Sequence, residues 1–277
     1  MEKEFKWMSS VVCYQVLGNG PTAMIAFHGY AQNSRVFNVF NQFYENKYTV
    51  YSIDLPFQGK TQWNEPGKLN AEALTNLICA FLKEMNLPES EKIALMGYSL
   101  GGNYTLGFVC AMPERIKEVY LLAADGIARR LWFHFFTKTW LGLALFQGFI
   151  HFPQPVFGLI RLLTFVGLYH VKIKNFFIDS ISTKEKRRLL MQRWRSSSNI
   201  HPGIRKVIST LKKSEIPTFL LFGKKDKLID YRNAVALHKK LITVHIRLLD
   251  QGHELVKQSN VVHLEELYQE HKNIKPE

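Results

Sequence analysis

The sequence predicts an α/β fold, in which helices cover both faces of a mostly parallel sheet and a helical segment is inserted between two strands. Short apolar runs alternate with amphipathic stretches over the first 124 residues, as strands alternate with helices in such folds. The alternation stops at Asp125-Gly126 and resumes near Pro217. A chain of 277 residues is long enough to form one such domain with a large core.

Each element is placed by its own local pattern. Strands are expected where short apolar runs lie between turn residues, and helices where apolar residues recur every three or four positions. The pattern predicts strands over residues 11–17, 22–27, 48–53, 93–97, 119–124, 218–222 and 244–249, and helices over 33–44, 71–85, 100–111, 233–240 and from 254 onward.

Residues 126–214 are predicted to be a helical lid inserted into a core made of residues 1–125 and 215–277. Glycines and prolines interrupt the helical spacing of its first half, which predicts several short helices. The lid also concentrates charge, because residues 127–195 carry 12 Lys and Arg against two Asp and Glu in a chain of net charge +13. The same stretch holds 14 of the 36 aromatic residues.

This mixture of basic and aromatic residues suits an anionic lipid surface or an apolar, acidic substrate, so peripheral contact with an anionic membrane is one hypothesis. Nucleic acid is not an expected partner, since no recognition-helix, OB or RRM pattern accompanies the charge. Trp132, Phe136 and Trp140 are candidates for binding the substrate. The run from Lys184 to Arg188 is interpreted as a solvated helix face, with a surface for anionic partners as the alternative.

Cysteine usage and the first residues of the chain bear on the compartment. Cys13, Cys79 and Cys110 are widely spaced, which predicts neither a disulfide framework nor a zinc site, so no metal is expected. The first six residues include acidic side chains and no apolar stretch, unlike a secretory signal. A reducing, cytoplasmic setting is the expectation.

The sequence Gly-Tyr-Ser-Leu-Gly-Gly at 97–102 lies between a predicted strand and a predicted helix. A serine there occupies a very tight turn, whose glycines allow strand and helix backbones to approach while the hydroxyl projects clear of the sheet. The turn also places Ser99 at a helix N-terminus, which favours developing negative charge. Ser99 is therefore the predicted nucleophile.

A serine nucleophile needs a general base and an acid that orients the base. Asp226 and His253 each follow a predicted strand near the end of the chain, at the sheet edge where ligands bind in α/β folds. They are the predicted acid and base. Asp125, which ends another predicted strand, is the main rival of Asp226, and Asp230 is a lesser one.

An acyl-transfer site also needs donors for an oxyanion. The loop that begins with His28-Gly29 can turn so that the backbone N–H of Tyr30 faces the site beside the backbone N–H of Leu100. His28 itself is interpreted as structural, holding this loop by a hydrogen bond.

These motifs together resemble the α/β-hydrolase superfamily over nearly the whole chain outside the lid. The resemblance implies hydrolysis of esters, thioesters or carbon–carbon bonds without a cofactor. A serine at the turn is unlike the epoxide-hydrolase and dehalogenase branches, which use aspartate there. Phe57 and Gln58 depart from the glycine and histidine usual in the Asp-x-Pro-Gly-His-Gly loop, and the lid matches no recognised subgroup. The residues that carry this resemblance are His28-Gly29, Asp54 to Gly59, the turn at 97–102, Gly223 to Asp226 and Gly252-His253.

Three functions remain open on the sequence. The first is a hydrolase that cleaves a carboxylic ester or thioester of an apolar acyl substrate through an acyl-enzyme on Ser99. The second is a carbon–carbon bond hydrolase or lyase that uses the same three residues. The third is a non-catalytic binder of lipids or other hydrophobic small molecules, since a fold does not dictate a function.

Overall fold

The computed structural model describes residues 2–66, 69–128, 131–167, 175 and 178–274. The chain divides into two compact units. We call them the sheet unit (Met1–Arg129 and Asn199–Glu277) and the helical unit (Arg130–Ser198). The predicted insertion, 126–214, is longer than the helical unit at both ends, because 126–129 and 199–214 belong to the sheet unit.

The sheet unit contains an eight-stranded sheet in the order β1-β2-β4-β3-β5-β6-β7-β8. Strands β3 to β8 are parallel, and β1 and β2 run antiparallel at one edge, so the predicted α/β fold is confirmed. The strands are β1 Glu2–Trp7, β2 Ser10–Leu17, β3 Thr22–Phe27, β4 Tyr48–Ile53, β5 Ile93–Tyr98, β6 Ile116–Leu122, β7 Thr218–Gly223 and β8 Val244–Leu249.

Strand β1 was not predicted, because its charged residues hide a weak alternation. Only Phe5 of this strand is buried; it lies opposite Val12 of β2, and its ring meets the ring of Phe81 edge-on at 5.4 Å. Besides its pairing with β2, the strand is held by Phe5, by the stacking of Trp7 on Trp63 and by ion pairs of Glu2 with Arg35 and Lys60.

Helices cover both faces of the sheet. A 3₁₀ segment, Ser34–Phe40, precedes the first helix. The helices of the sheet unit are α1 Asn41–Tyr44, α2 Ala71–Glu84, α3 Gly101–Ala111, α8 Ile204–Ser214, α9 Tyr231–His238 and α10 Val261–Ile274. Those of the helical unit are α4 Leu131–Lys138, α5 Trp140–His151, α6 Gln154–Phe165 and α7 Lys184–Ile200, whose last two residues belong to the sheet unit.

The last helix begins at Val261, so the prediction of a helix from 254 onward was wrong by seven residues. Leu255 is fully buried in the loop that precedes it. The buried amide of Asn260 donates to the carbonyl of Leu255 at 2.8 Å and pairs with the side chain of Gln251. These bonds hold the segment before Val261 in a loop conformation.

Side chains of each central strand point alternately to the two faces of the sheet and fill two cores. Ile25 and Leu95 lie in one core, and Met24 and Met96 lie in the other, all of them fully buried. Strands buried on both faces fix the positions of the loops at their carboxyl ends, where the candidate site lies.

In the helical unit, α5 packs Phe146 against Trp194 of α7 with ring centroids 5.7 Å apart. The interpretation of 184–188 as a solvated face was wrong for Arg187, which is only 6% exposed. Its guanidinium donates to the carbonyls of Ile150, Ile181 and Ser182. A charged side chain can be buried when its donors are satisfied in this way, and Arg187 ties α7 to the end of α5.

Candidate active site

Ser99 follows β5 in the turn that leads into α3, with a φ of +50°. This left-handed backbone is unusual for a residue with a Cβ, and it persists only where the surroundings enforce it. A Cβ on Gly97 would lie 2.4 Å from Oγ1 of Thr105, and one on Gly101 would lie 1.9 Å from the carbonyl oxygen of Phe27. The glycines therefore let α3 approach the strands closely enough to form the turn.

Backbone hydrogen bonds to the neighbouring strand hold the turn. The N–H of Ser99 donates to the carbonyl of Leu122 at 3.0 Å, and the N–H of Asp125 donates to the carbonyl of Ser99 at 2.8 Å. Because both backbone groups of Ser99 are tied to the end of β6, the position of its hydroxyl is set by the sheet.

The structure brings Ser99, His253 and Asp226 together in one hydrogen-bonded series. Nε2 of His253 lies 2.9 Å from Oγ of Ser99, and Nδ1 lies 2.8 Å from Oδ2 of Asp226. A carboxylate can only accept a hydrogen bond, so the ring hydrogen lies on Nδ1, and Nδ1 donates it to Asp226. Nε2 of the neutral ring is then free to accept the hydroxyl proton of Ser99.

The side chain of Asp226 has no exposed surface, and that of His253 is 20% exposed. Oδ1 of Asp226 accepts from the backbone N–H groups of Leu228 and Ile229 at 2.7 and 3.0 Å. These two bonds leave Oδ2 for the imidazole and fix the direction of the carboxylate. In the rival, Asp125, Oδ1 accepts from the backbone N–H of Gly126 at 3.1 Å.

Tyr98 is a site residue that the sequence analysis missed. Its ring stacks on the imidazole of His253 with centroids 5.6 Å apart and planes 29° apart. Its hydroxyl donates to the backbone carbonyl of His253 at 3.2 Å, and burial raises the pKa of this phenol. Tyr98 therefore contacts both the ring and the backbone of the histidine.

The loop after β3 lies directly against Ser99, since a Cβ on Gly29 would be 3.3 Å from the Cβ of Ser99. His28, which is fully buried, supports this loop. Its Nε2 accepts from the N–H of Leu55 at 3.0 Å, so Nδ1 carries the hydrogen and donates to the carbonyl of Gly29 at 2.8 Å. Tyr30 follows Gly29 in this loop, and Leu100 follows Ser99 at the start of α3; their role as oxyanion donors stays a prediction.

Gln58, noted in the sequence only as a departure from the family pattern, also holds this loop. Its Oε1 accepts from the N–H of Ala31 at 2.6 Å, where the backbone is left-handed with a φ of +56°. Nearby, the buried Asp54 carboxylate accepts from the N–H groups of Ser34 and Lys60 at 2.6 and 2.7 Å. The side chain at position 58 is thus connected to the loop that borders the nucleophile.

The candidate substrate residues lie in the helical unit. Trp132 and Phe136 are on α4, and Trp140 begins α5. Trp132 is half exposed and meets the ring of Trp194, whereas Trp140 is 80% exposed. A role in substrate binding stays a prediction for all three.

Across the described ranges, no group of three His, Cys, Asp or Glu side chains is arranged to hold a metal ion.

The sequence model of the alpha/beta hydrolase fold family matches residues 22–258. The chain therefore belongs to this family, and it is a hydrolase.

Three known proteins illustrate the likeness. The uncharacterized hydrolase YugF of Bacillus subtilis is 22% identical over 252 residues, which is 86% of this chain and 85% of YugF. MGS-M2, an alpha/beta hydrolase enzyme from a deep-sea metagenome library of the Medee basin, superposes with a TM-score of 0.69 at 14% identity, covering 96% of this chain and 97% of its own. A thioesterase domain from the curacin biosynthetic pathway gives 0.63 at 16% identity, covering 97% and 99%. At these identities the two solved structures show a shared fold.

Proposed function

We propose that this hydrolase cleaves a carboxylic ester or thioester of an apolar acyl substrate through an acyl-enzyme on Ser99. The observation that carries the proposal is the series from Ser99 through His253 to Asp226, with contacts of 2.9 and 2.8 Å. Acyl transfer to serine needs a nucleophile, a base and an acid that fixes the tautomer of the base, in this order.

In the first half of the reaction, Oγ of Ser99 forms a bond to the carbonyl carbon while Nε2 of His253 takes the hydroxyl proton. The electron pair of the carbonyl moves onto its oxygen, and the buried carboxylate of Asp226 stabilises the imidazolium. The tetrahedral intermediate then collapses, the bond to the leaving alcohol or thiol breaks, and His253 returns the proton to that group.

In the second half, water takes the place of the hydroxyl. His253 removes a proton from the water, the hydroxide attacks the acyl-enzyme, and the carboxylic acid leaves as Oγ of Ser99 recovers its proton.

The oxyanion is proposed to accept from the backbone N–H groups of Leu100 and Tyr30. Leu100 precedes the first turn of α3, where the helix N-terminus favours negative charge, and Gly29 carries the Tyr30 loop against Ser99. Removing one such donor lowers kcat by about 10²–10³ in enzymes of this kind.

The test is turnover of a panel of p-nitrophenyl esters and acyl thioesters of increasing chain length. We expect the wild-type chain to hydrolyse members of the panel, and Ser99→Ala to lower kcat by about 10⁴-fold or more. Ser214→Ala, which alters an exposed serine at the end of α8, is the matched control and should change nothing.

Undiminished turnover by Ser99→Ala would overturn the proposal. So would a wild-type chain that hydrolyses none of the panel but cleaves a carbon–carbon bond, because the same three residues would then serve the second function. A wild-type chain that binds apolar acids and turns over neither class would favour the non-catalytic function.

A further inference from the structure

The helical unit has an unusual surface. Fifteen large apolar side chains of the described chain are exposed, and ten of them lie in this unit. The described residues of this unit are only 131–167, 175 and 178–198. The ten are Leu131, Trp132, Trp140, Leu141, Leu145, Phe152, Leu159, Leu162, Phe165 and Val166.

Helix α5 exposes large apolar side chains as well as burying others. It buries Gly142, Phe146 and Ile150 on one side. Trp140, Leu141 and Leu145 are exposed elsewhere on the helix. A helix on the surface of a protein in water has mainly polar residues opposite its buried stripe. The exposed part of α5 has only Gln147 and His151 as polar side chains beside these three large apolar ones.

Helix α6 is more extreme, because none of its residues is buried. Its sequence, QPVFGLIRLLTF, has one charged residue, Arg161, and Leu159, Leu162 and Phe165 are all exposed. A short helix gains most of its stability from burying an apolar face. No residue of α6 is buried against the described part of the chain, so its exposed apolar side chains form a surface open to a partner.

The charge of the segment identifies the chemistry of what covers it. Residues 126–178 contain no Asp or Glu and six Lys or Arg. Lys138 at the end of α4 and Arg161 in α6 are exposed among the apolar side chains. Exposed tryptophan, aliphatic side chains and basic residues without acids form the combination that binds the headgroup region of an anionic bilayer.

The shape of the segment favours lying on a bilayer over crossing it. No described helix is long and apolar enough to span a membrane by itself. Helices α5 and α6 meet that requirement only as a pair, and they are bent by 89° at the break between them. An isologous contact with a second copy is disfavoured by charge, since it would place two positive surfaces against each other.

We propose that α4, α5 and α6 form a surface that docks the enzyme on an anionic lipid bilayer, with the exposed apolar side chains entering the headgroup region. The basic side chains then meet the lipid phosphates and carboxylates. This docking does not depend on the chemistry at Ser99.

The test is sedimentation of the full chain with vesicles of phosphatidylcholine alone or with about one-third phosphatidylserine. We expect binding to the anionic vesicles that weakens as salt rises. Trp140→Ser with Phe165→Ser should weaken it at least tenfold. These side chains are 80% and 89% exposed, so their replacement leaves the fold intact, as thermal unfolding will show. Ile242→Ser, which alters a 97% exposed residue of the sheet unit, is the matched control and should bind as the wild type does.

The charge contribution is tested separately. Lys138→Gln with Arg161→Gln should weaken binding to anionic vesicles about 25-fold, because each basic side chain near such a surface contributes about fivefold. Lys239→Gln with Lys240→Gln removes the same charge from the exposed end of α9 in the sheet unit and should have little effect.

Several outcomes would overturn the proposal. The wild-type chain could leave anionic vesicles unbound at low salt, or the control pairs could weaken binding as much as the test pairs. A wild-type dimer in sedimentation velocity that Trp140→Ser with Phe165→Ser converts to monomer, without vesicle binding, would assign the surface to a second copy. Ser99→Ala should bind vesicles normally, which separates this proposal from the proposed acyl transfer.

Discussion

The sheet unit turns its large aromatic side chains inward, whereas the helical unit turns much of its own apolar surface outward. The twelve largest fully buried side chains of the described chain all lie in the sheet unit. Among the described residues, two thirds of the exposed large apolar side chains lie in the helical unit. One unit is thus stabilised by its own core and supports a site of fixed geometry, and the other carries a surface suited to an apolar, anionic environment.

The largest effect is expected at the site that the sheet unit supports. Asp226→Asn should lower kcat by about 10³–10⁴, because an amide facing Nδ1 no longer selects the tautomer that accepts from Ser99. Both Oδ1 bonds to Leu228 and Ile229 can be kept by asparagine, so folding is preserved. Steady-state kinetics with the best ester checks this, with Asp125→Asn as the matched control. A larger loss for Asp125→Asn than for Asp226→Asn would make the rival the functional acid.

The contrast between the units is tested directly by truncating one phenylalanine in each. Phe108 in α3 is fully buried, and Phe108→Ala should lower the free energy of unfolding by about 3–5 kcal/mol. Phe165 in α6 is 89% exposed, and Phe165→Ala should change stability by less than about 0.5 kcal/mol. Denaturant unfolding measures both. Comparable losses would mean that Phe165 packs in solution and that the two units do not differ in this way.

A smaller effect is expected at Glu118, a buried carboxyl on β6 that accepts from the hydroxyl of Tyr48 at 2.7 Å. Burial raises its pKa above 4.5. The folded chain therefore binds this proton more tightly than the unfolded chain does. The stability it contributes is full below pH 4.5 and is lost as the pH rises through the folded pKa.

Glu118→Gln keeps the acceptor for Tyr48 and removes the charge. It should raise Tm at neutral pH, and the gain should shrink toward pH 4.5. Thermal unfolding at both pH values measures it, with the exposed Glu114→Gln as control. A lower Tm at neutral pH would mean that the charged form is stabilised by its surroundings.

The smallest effect is expected at Tyr98, a positioning residue. Tyr98→Phe keeps the ring on the imidazole and removes the 3.2 Å bond to the carbonyl of His253. It should lower kcat about three- to tenfold with KM unchanged, as the loss of one hydrogen bond implies. Tyr98→Ala should cost more, since the stacked ring is lost as well. Equal rates for wild type and Tyr98→Ala would show that the stack does not position His253.

Much of the sheet unit could be predicted because its signals are local. An apolar run between turn residues predicts a strand wherever it packs, and the turn at 97–102 carries its own glycines. The order of Ser99, Asp226 and His253 after separate strands then predicts convergence, since carboxyl ends of parallel strands share one edge.

The remaining features depend on contacts between distant residues. No local sequence pattern marks the hydrogen bond from Ala31 to Gln58 or the stacking of Tyr98 on His253, so the sequence analysis missed both. Arg187 looked solvated because its neighbours are charged, and only the three carbonyls that surround it show otherwise. The late start of α10 likewise depends on Asn260, which reaches back to Leu255.

The most direct measurement is the mass of the intact chain after treatment with a fluorophosphonate, which forms a covalent bond to an activated serine oxygen as fluoride leaves. Activation by His253 predicts one adduct per chain, located on the peptide that contains Ser99. It also predicts that His253→Ala slows labelling by about 10³-fold or more and that Ser99→Ala abolishes it. A folded wild-type chain that stays unlabelled, or that is labelled equally fast without His253, would contradict the account.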